Sequence, residues 1–189
     1  VVSMVKDVLF GKEKLEEIFG QIISGMAYAN GTYNKDAVDI VKKCGFHYSR
    51  TTDSTENFYL PEDWLLMHPT CKHTNPKLME LAKKFVEEKD SPWFWSNKPM
   101  LFTVWGHAYE FDNDNNWEVI QEFCKYTGGR KDVWYATNIE IYDYVTAYRN
   151  LSFSVDLTNV YNPSAIDVYI LVEGNEVVIH TENSILANE

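Results

Sequence analysis

One histidine of the sequence follows an apolar run, as expected of a general acid at the end of a strand. His107 comes after residues 100–105 (Met-Leu-Phe-Thr-Val-Trp), and only Gly106 separates it from Trp105. The glycine allows close approach of the backbone, and the indole can form the wall of a pocket. A histidine side chain titrates near neutral pH, so it can donate a proton to a leaving group there. The pattern therefore predicts His107 as a catalytic residue.

A second interpretation of His107 stays open, because a half-buried histidine often only donates a hydrogen bond to a backbone carbonyl. The acidic residues that follow it favour chemistry, since Glu110, Asp112 and Asp114 can orient or charge the imidazole. The sequence thus predicts an imidazole with a carboxylate neighbour, in a catalytic or a purely structural role.

Polar side chains stand at the downstream end of every predicted strand. They are Tyr28 and Asn30, Arg50 to Thr52, His68 and Thr70, His107, and Thr137 and Asn138. Ligands bind at the carboxyl ends of the strands in open α/β sheets and in α/β barrels. The sequence therefore predicts a cleft at this edge, with substrate-binding roles for Tyr28, Asn30, Arg50, His68 and Trp105.

A short segment contains His68, Cys71 and His73, and a zinc site is an alternative for it. A thiolate with two imidazoles is a sound zinc set, but a fourth ligand and the usual ligand spacing are missing. In an extended chain His73 lies on the same side as Cys71, whereas His68 points the other way. A polar residue that lines the cleft is the favoured role of His68, and no metal ligand is predicted.

Composition and charge narrow the choice of partners. The chain has 189 residues, a formal net charge of −11 and a pI near 4.9, which argues against nucleic acid. The longest apolar runs are too short to cross a bilayer, so no membrane partner is expected. An aromatic content of 15% suits a sugar-binding cleft, where flat rings stack on pyranose faces.

The separated Cys44, Cys71 and Cys124 are expected to be free, buried thiols, which favours the cytoplasm while leaving the compartment open.

The apolar spacing predicts helices and strands in alternation. Helices are expected over residues 5–19, 34–44, 75–86, 116–127 and 139–148, and strands near residues 22–28, 46–52, 64–67, 100–105 and 133–136. This order predicts an α/β domain with a mostly parallel sheet. A single domain over residues 1–189 is expected, with an α/β part to about residue 150 and a β extension with a hairpin after it.

Four segments together resemble a known family. They are residues 12–20 as a helix, residues 25–33 (Gly-Met-Ala-Tyr-Ala-Asn-Gly-Thr-Tyr), residues 48–51 (Tyr-Ser-Arg-Thr) and residues 105–107 (Trp-Gly-His). In this order they resemble the later part of a polysaccharide deacetylase, the NodB-homology domain of the carbohydrate esterases. Residues 64–73, 105–117 and 134–142 are similar to one bacterial subgroup, so the resemblance covers nearly the whole chain.

The resemblance implies a partial or distorted (β/α) barrel and the metal-dependent hydrolysis of N- or O-acetyl groups on a poly- or oligosaccharide. In the family, one Asp and two His hold a divalent metal, usually zinc, and a second Asp acts as the base. His107 corresponds to the family's acid, and residues 28–31 occupy the place of the Arg-x-Pro-Tyr groove motif. Arg50 lies near the motif that positions the catalytic groups.

The chain also departs from the family. Nothing in it matches the Thr-Phe-Asp-Asp motif or the His-Ser/Thr-x-x-His motif that supply the base and the metal ligands. His68 and His73 have the wrong spacing and order, and Ala27 replaces the arginine of the groove motif. A deacetylase domain without its first strands is expected, inactive as this chain alone, with exposed strand edges that favour a homo-oligomer.

Two other functions stay open. One is a non-catalytic carbohydrate-binding or structural remnant of the same fold. The other is an unrelated α/β domain with a metal site at His68, Cys71 and His73.

Overall fold

The computed structural model describes residues 2–87 and 99–185, which form a mixed α/β structure. The helices are α1 Val2–Phe19, α2 Lys35–Lys43, α3 Leu78–Glu87, α4 Ala108–Asp114, α5 Trp117–Thr127 and α6 Asn138–Arg149. The strands are β1 Gly25–Ala27, β2 Tyr48–Arg50, β3 Cys71–Lys72, β4 Val104–Trp105, β5 Ser152–Phe153, β6 Asn159–Asn162, β7 Val168–Val172, β8 Asn175–Ile179 and β9 Glu182–Ile185. Two compact units make up the chain, an N-terminal unit within Val1–Trp134 and a C-terminal unit within Tyr135–Glu189.

Short parallel strands organise the N-terminal unit. β1 pairs with β2 and β3 pairs with β4, both in parallel. Met67 forms a parallel bridge with Arg50, so residues 67–72 contact β2 at one end and β4 at the other. All four strands therefore run in one direction, and their carboxyl ends face the same way.

The predicted α/β class is confirmed, but a deacetylase-type barrel is not shown. The N-terminal unit holds two small parallel sheets, and the C-terminal unit holds two small antiparallel ones. Among the described residues, none of these sheets closes into a barrel.

Local signals explain the helix α2. The side-chain oxygen of Asn34 accepts a hydrogen bond from the backbone N–H of Ala37 at 2.8 Å, which caps the first turn. Gly45 follows the helix with a φ of +81°, a left-handed conformation that glycine adopts without strain. Ile40 and Val41 are buried on the inner face of the helix, against a core that includes Phe46.

Helix α1 presents apolar side chains to solvent. It spans 18 residues, and none of them is buried. The exposed large apolar residues of α1 include Leu9, Phe10, Leu15, Ile18 and Phe19. Contiguous apolar surface of this kind favours association. The expected homo-oligomer stays a prediction.

The C-terminal unit combines α6 with the last five strands. Its core consists of Ala147 from α6 and Val160, Val168 and Ile179 from the strands. β7 and β8 form the predicted hairpin, in which Val172 pairs with Asn175 around the turn at Glu173 and Gly174. Both turn residues have positive φ, as the tightest hairpin turns require. The division between the units falls before α6, rather than near residue 150.

Asn162 is a buried polar residue of the C-terminal unit with a complete set of partners. Its amide nitrogen donates to the carbonyls of Ile166 at 2.8 Å and Ile179 at 3.1 Å. Its carbonyl oxygen accepts from the backbone N–H of Ser164 at 3.0 Å and from the Ser164 hydroxyl at 2.7 Å. The side chain thereby links three segments of this unit.

Several element predictions are wrong. Residues 133–136 form no strand, and the side chains of Trp134 and Tyr135 are exposed rather than buried in a sheet. Residues Trp64–Leu66 form a 3₁₀ helix instead of a strand, since the Asp63 carboxylate accepts the N–H of Leu65 at 2.9 Å. The sequence also gave no prediction of α4.

The cysteines are only partly as predicted. Cys71 is a buried free thiol, as expected, whereas Cys44 is half-buried and Cys124 is exposed. Among residues 2–87 and 99–185, no helix combines the length and the apolar character that crossing a membrane requires.

Candidate functional site

Charged and aromatic side chains meet at the carboxyl ends of β2, β3 and β4. The guanidinium carbon of Arg50 lies 5.1 Å from the centroid of the Trp105 ring, and Lys72 Nζ lies 5.6 Å from it. Each of these residues is the last residue of its strand. We call this group the Trp105 cluster; its members are Arg50, Lys72, His73, Trp105, His107 and Glu110.

Glu110 is the centre of the Trp105 cluster. Its Oε1 lies 2.6 Å from Lys72 Nζ, and its Oε2 lies 3.3 Å from His107 Nδ1 and 3.6 Å from His73 Nε2. The hydrogen bond from Lys72 is the main reason why the pKa of Glu110 falls to about 2. The carboxylate is therefore ionised at neutral pH and carries the negative charge of the cluster.

His107 is oriented for proton transfer at one of its nitrogens. Its side chain is 53% exposed and stacks on Tyr109, with 5.2 Å between the ring centroids. Because Nδ1 faces Glu110, Nε2 is the nitrogen left to face a ligand. The prediction that a following acidic residue orients His107 is confirmed for Glu110, whereas Asp112 accepts a hydrogen bond from the Trp117 indole instead.

His107 also has a structural role at the start of α4. Its backbone N–H donates to Glu110 Oε2 at 3.2 Å, three residues further on. This reciprocal spacing is a capping box, which fixes the first helical turn. This capping role uses the backbone N–H of His107, so it differs from the imidazole-to-carbonyl hydrogen bond that the sequence suggested, and Glu110 serves both the cap and the imidazole.

His73 is buried in the Trp105 cluster with its bonding capacity unused. It is 2% exposed, and neither ring nitrogen has a hydrogen-bond partner among the described residues. Its ring centroid lies 4.3 Å from that of Phe111. A Cβ added at Gly106 would lie 1.8 Å from His73 Nδ1, so the glycine is required by the close approach of this ring.

Arg50 is a half-buried cation of the cluster. Its Nη1 donates to the carbonyl of Thr51 at 2.8 Å, and burial lowers the pKa of the guanidinium. In the part of the chain that the structure describes, no carboxylate pairs with Arg50. The buried Trp105 Nε1 likewise has no acceptor among the described residues. The cluster thus contains a cation and a donor that are free to bind a ligand.

A second polar group follows β2. The Nδ1 of His68 lies 2.7 Å from the Thr51 hydroxyl and 3.8 Å from Asp53 Oδ2. The Tyr33 hydroxyl donates to the same Asp53 oxygen at 2.9 Å, and this bond raises the pKa of Tyr33. We call Tyr33, Thr51, Asp53 and His68 the Asp53 group. Its half-exposed imidazole agrees with a lining role for His68.

The two remaining predicted binding residues lie in different surroundings. Tyr28 is 5% exposed and donates its hydroxyl to the carbonyl of Leu65 at 3.0 Å, and burial raises its pKa. It packs in the core and offers little surface to a ligand. Asn30 is exposed in a turn with a φ of 55°. The turn lies beside the end of β2, because a Cβ added at Gly31 would lie 2.0 Å from the Thr52 hydroxyl.

The residues present do not fit a zinc ion. Burial is the main cause that raises the pKa of the Cys71 thiol to about 11, so the thiol is protonated at neutral pH and a bound metal would have to displace its proton. His68 is hydrogen-bonded to Thr51, and His73 lies beside Glu110. Within the described ranges, no three His, Cys, Asp or Glu side chains group as metal ligands. The zinc alternative for His68, Cys71 and His73 therefore has no support here.

Lys72 is the one member of the Trp105 cluster to which the sequence assigned no role. Strand alternation after the buried Cys71 turns its side chain away from the core, and this could have signalled it. Its partner Glu110 is 38 residues away, so the pairing depends on the β3–β4 register.

Comparisons of the chain with known protein families, curated proteins and solved structures give no match. The geometry of the Trp105 cluster and the resemblance of the motifs are therefore the basis for a functional proposal.

Proposed function

We propose that the chain is a polysaccharide deacetylase-like protein that binds an acetylated poly- or oligosaccharide at the Trp105 cluster. The observation that carries this proposal is the Trp105 indole at the strand ends, beside His107 and Arg50. An indole offers a flat apolar face to a sugar ring, and its polar neighbours can bind the hydroxyl and acetyl groups.

His107 is the acid in this proposal. Loss of an acetyl group leaves an alcohol or an amine on the sugar, and that leaving group needs a proton. Nε2 of His107 supplies it, because Nδ1 is directed at Glu110 Oε2 at 3.3 Å. Glu110 keeps the ring oriented through its contact with Nδ1.

In polysaccharide deacetylases the remaining steps depend on a bound divalent metal ion, usually zinc, which polarises the acetyl carbonyl and activates water. Among the residues that the structure describes, no three His, Cys, Asp or Glu side chains group as ligands for that ion. We therefore expect the chain by itself to bind the carbohydrate without releasing acetate.

A non-catalytic carbohydrate-binding protein is the second candidate. The misfit between the described residues and a zinc ion favours it. The two candidates differ in what they recognise: a deacetylase-like groove prefers the acetylated ligand, whereas a pure binding protein has no reason to select for acetyl groups.

The test is calorimetric titration with a xylo-oligosaccharide in its acetylated form and after chemical deacetylation. We expect binding of the acetylated form and a loss of about tenfold in affinity for Trp105→Ala, from the lost stacking face. Trp105→Phe keeps an aromatic face and retains most of the affinity, and Trp117→Ala is the control. Circular dichroism verifies that each variant folds.

Each result decides between the candidates. Absence of binding, or binding that Trp105→Ala leaves unchanged, would overturn the proposal. Equal binding of both oligosaccharide forms would favour the non-catalytic candidate. Acetate release by the zinc-loaded chain would show that it contains metal ligands outside the groups described above.

A further inference from the structure

We infer that the carbohydrate bound at the Trp105 cluster carries a carboxylate group, as in a hexuronic acid, and that Arg50 binds it. The inference rests on the proposed function and adds a substrate class to it. Its basis is the charge balance of the cluster.

The cations of the cluster are not equally available. Lys72 is paired with Glu110 at 2.6 Å, so its charge is balanced. Arg50 has no carboxylate partner among the described residues, although it is half-buried. Removing a cation from water without a counter-charge is unfavourable, and a ligand anion would relieve that cost. Arg50 is therefore the cation that a bound anion would meet.

The guanidinium is suited to a planar anion. One of its five N–H donors is used by the Thr51 carbonyl at 2.8 Å. The remaining donors form the fork that binds both oxygens of a carboxylate. A lysine offers only a compact point charge, so the residue type favours a carboxylate.

The position of Arg50 connects the anion to a sugar. Its guanidinium carbon lies over the Trp105 ring, 5.1 Å from the ring centroid, so a sugar that contacts the uncovered part of this half-buried indole lies next to the guanidinium. In a hexuronic acid the carboxylate is attached directly to the pyranose ring, so one sugar can contact the indole and pair with the guanidinium.

The total charge of the chain limits how many carboxylates the ligand carries. A net charge of −11 repels a long polyanion as it approaches. Because one unpaired arginine within the cluster can balance one carboxylate, the ligand that fits is a largely neutral oligosaccharide with a single acidic sugar.

The test uses two oligosaccharides that differ by one group: an acetylated xylo-oligosaccharide with a glucuronic acid side group, and the same compound without it. We expect the wild type to bind the acidic ligand about tenfold more tightly, as one charge-assisted pair allows. Arg50→Gln removes this preference, because it weakens the binding of the acidic ligand about tenfold more than that of the neutral one. Arg50→Lys retains part of the preference, and Lys42→Gln, an equal change of charge at an exposed site of α2, retains all of it.

The outcomes separate the inference from the proposed function. Equal binding of the two ligands by the wild type would overturn the inference and leave the proposed function standing. An equal fold-loss of both affinities in folded Arg50→Gln would also overturn it, by showing that Arg50 does not distinguish the acidic sugar. Absence of binding of either ligand would overturn the proposed function itself. The wild-type preference is decisive even if an Arg50 variant fails to fold.

Discussion

His73 in the N-terminal unit and Asn162 in the C-terminal unit are polar side chains with nearly the same burial and opposite surroundings. They are 2% and 1% exposed. Asn162 uses its amide nitrogen and its carbonyl oxygen in four hydrogen bonds. His73 forms none with the described residues, and its closest charged neighbour, Glu110 Oε2, is 3.6 Å away.

The comparison shows that a buried polar side chain stabilises the fold when it is hydrogen-bonded, as Asn162 is, and destabilises it when it is not, as for His73. A satisfied buried hydrogen bond contributes about 1 kcal/mol, whereas an unsatisfied buried group costs about 1–3 kcal/mol. Asn162 therefore stabilises the C-terminal unit. Within the Trp105 cluster, unused bonding capacity is found at His73, Arg50 and the Trp105 indole nitrogen, where a ligand could form hydrogen bonds.

The largest loss of stability is expected for Asn162→Ala. The substitution removes the amide donor of the Ile166 and Ile179 carbonyls and the acceptor of Ser164, and only at Ile166 can the Ser164 hydroxyl at 3.1 Å take its place, so we expect a loss of about 3 kcal/mol in the C-terminal unit. Hydrogen exchange followed by mass spectrometry should show faster exchange over β7 and β8. Asn159→Ala, at an exposed position of the same strand, is the control. Unchanged protection in Asn162→Ala would contradict the comparison.

The second largest loss of stability is expected for a substitution that disturbs the packing around His73. Gly106→Ala places a Cβ 1.8 Å from His73 Nδ1, and we expect it to reduce the free energy of unfolding by about 2 kcal/mol. The loss should be smaller in a His73→Ala background, where the ring is gone. Gly11→Ala is the matched control: no atom lies within 4 Å of the added Cβ, and alanine is the better helix former in α1. Urea unfolding followed by tryptophan fluorescence measures the wild type, the three variants at positions 73 and 106, and the control, and additive losses would contradict the predicted contact.

A smaller, pH-dependent effect is expected for Glu110→Gln. The pKa of Glu110 is about 2 in the folded protein, below about 4.3 for an unfolded chain. A lowered pKa means that the carboxylate stabilises the fold above the unfolded value, and that this contribution disappears as the pH falls towards 2. Glu110→Gln should therefore be less stable than the wild type above about pH 5, with the gap closing in acid.

Urea unfolding between pH 2 and 7 measures this gap. Glutamine preserves the capping-box spacing, so the variant isolates the charge. Glu122→Gln, at an exposed position of α5, should show no such dependence. A gap of the same size at every pH would count against the pairing of Glu110 with Lys72.

The smallest change in the free energy of unfolding is expected for His73→Leu. Leucine has a similar volume and no unsatisfied nitrogen, so the change in unfolding free energy should stay within about 1 kcal/mol. Asn162→Leu should in contrast be strongly destabilising, because it removes four hydrogen bonds. Urea unfolding compares the two, and a loss as large in His73→Leu would show that the imidazole has a stabilising partner.

The fold was predictable wherever local signals determine it. The Asn34 cap and Gly45 bound α2, and the turn of the β7–β8 hairpin lies where its flanking strands predict it. Residues 133–136 have the composition of a strand but form none, because strand formation depends on long-range pairing that composition does not report. The same dependence shortens the predicted strand at residues 100–105 to Val104–Trp105.

The sequence was sufficient to identify several residues of the site, but not to predict which of them contact each other. The rule that ligands bind at strand ends identified Arg50, Trp105 and His107. It could not show that Lys72 pairs with Glu110, or that His73 lies against Gly106, because both contacts depend on the β3–β4 register. Tyr28 stands at the end of its strand too, yet its ring turns into the core.

Glu110 and Phe111 both belong to the short helix α4 and both lie against His73. Fraying of the first turn of this helix would therefore open the Trp105 cluster and admit water to the imidazole in a single event. A histidine-modifying reagent can time this event. It should acylate the exposed His107 at once and His73 only at the rate at which α4 opens. The rate of His73 modification therefore measures the local unfolding of α4.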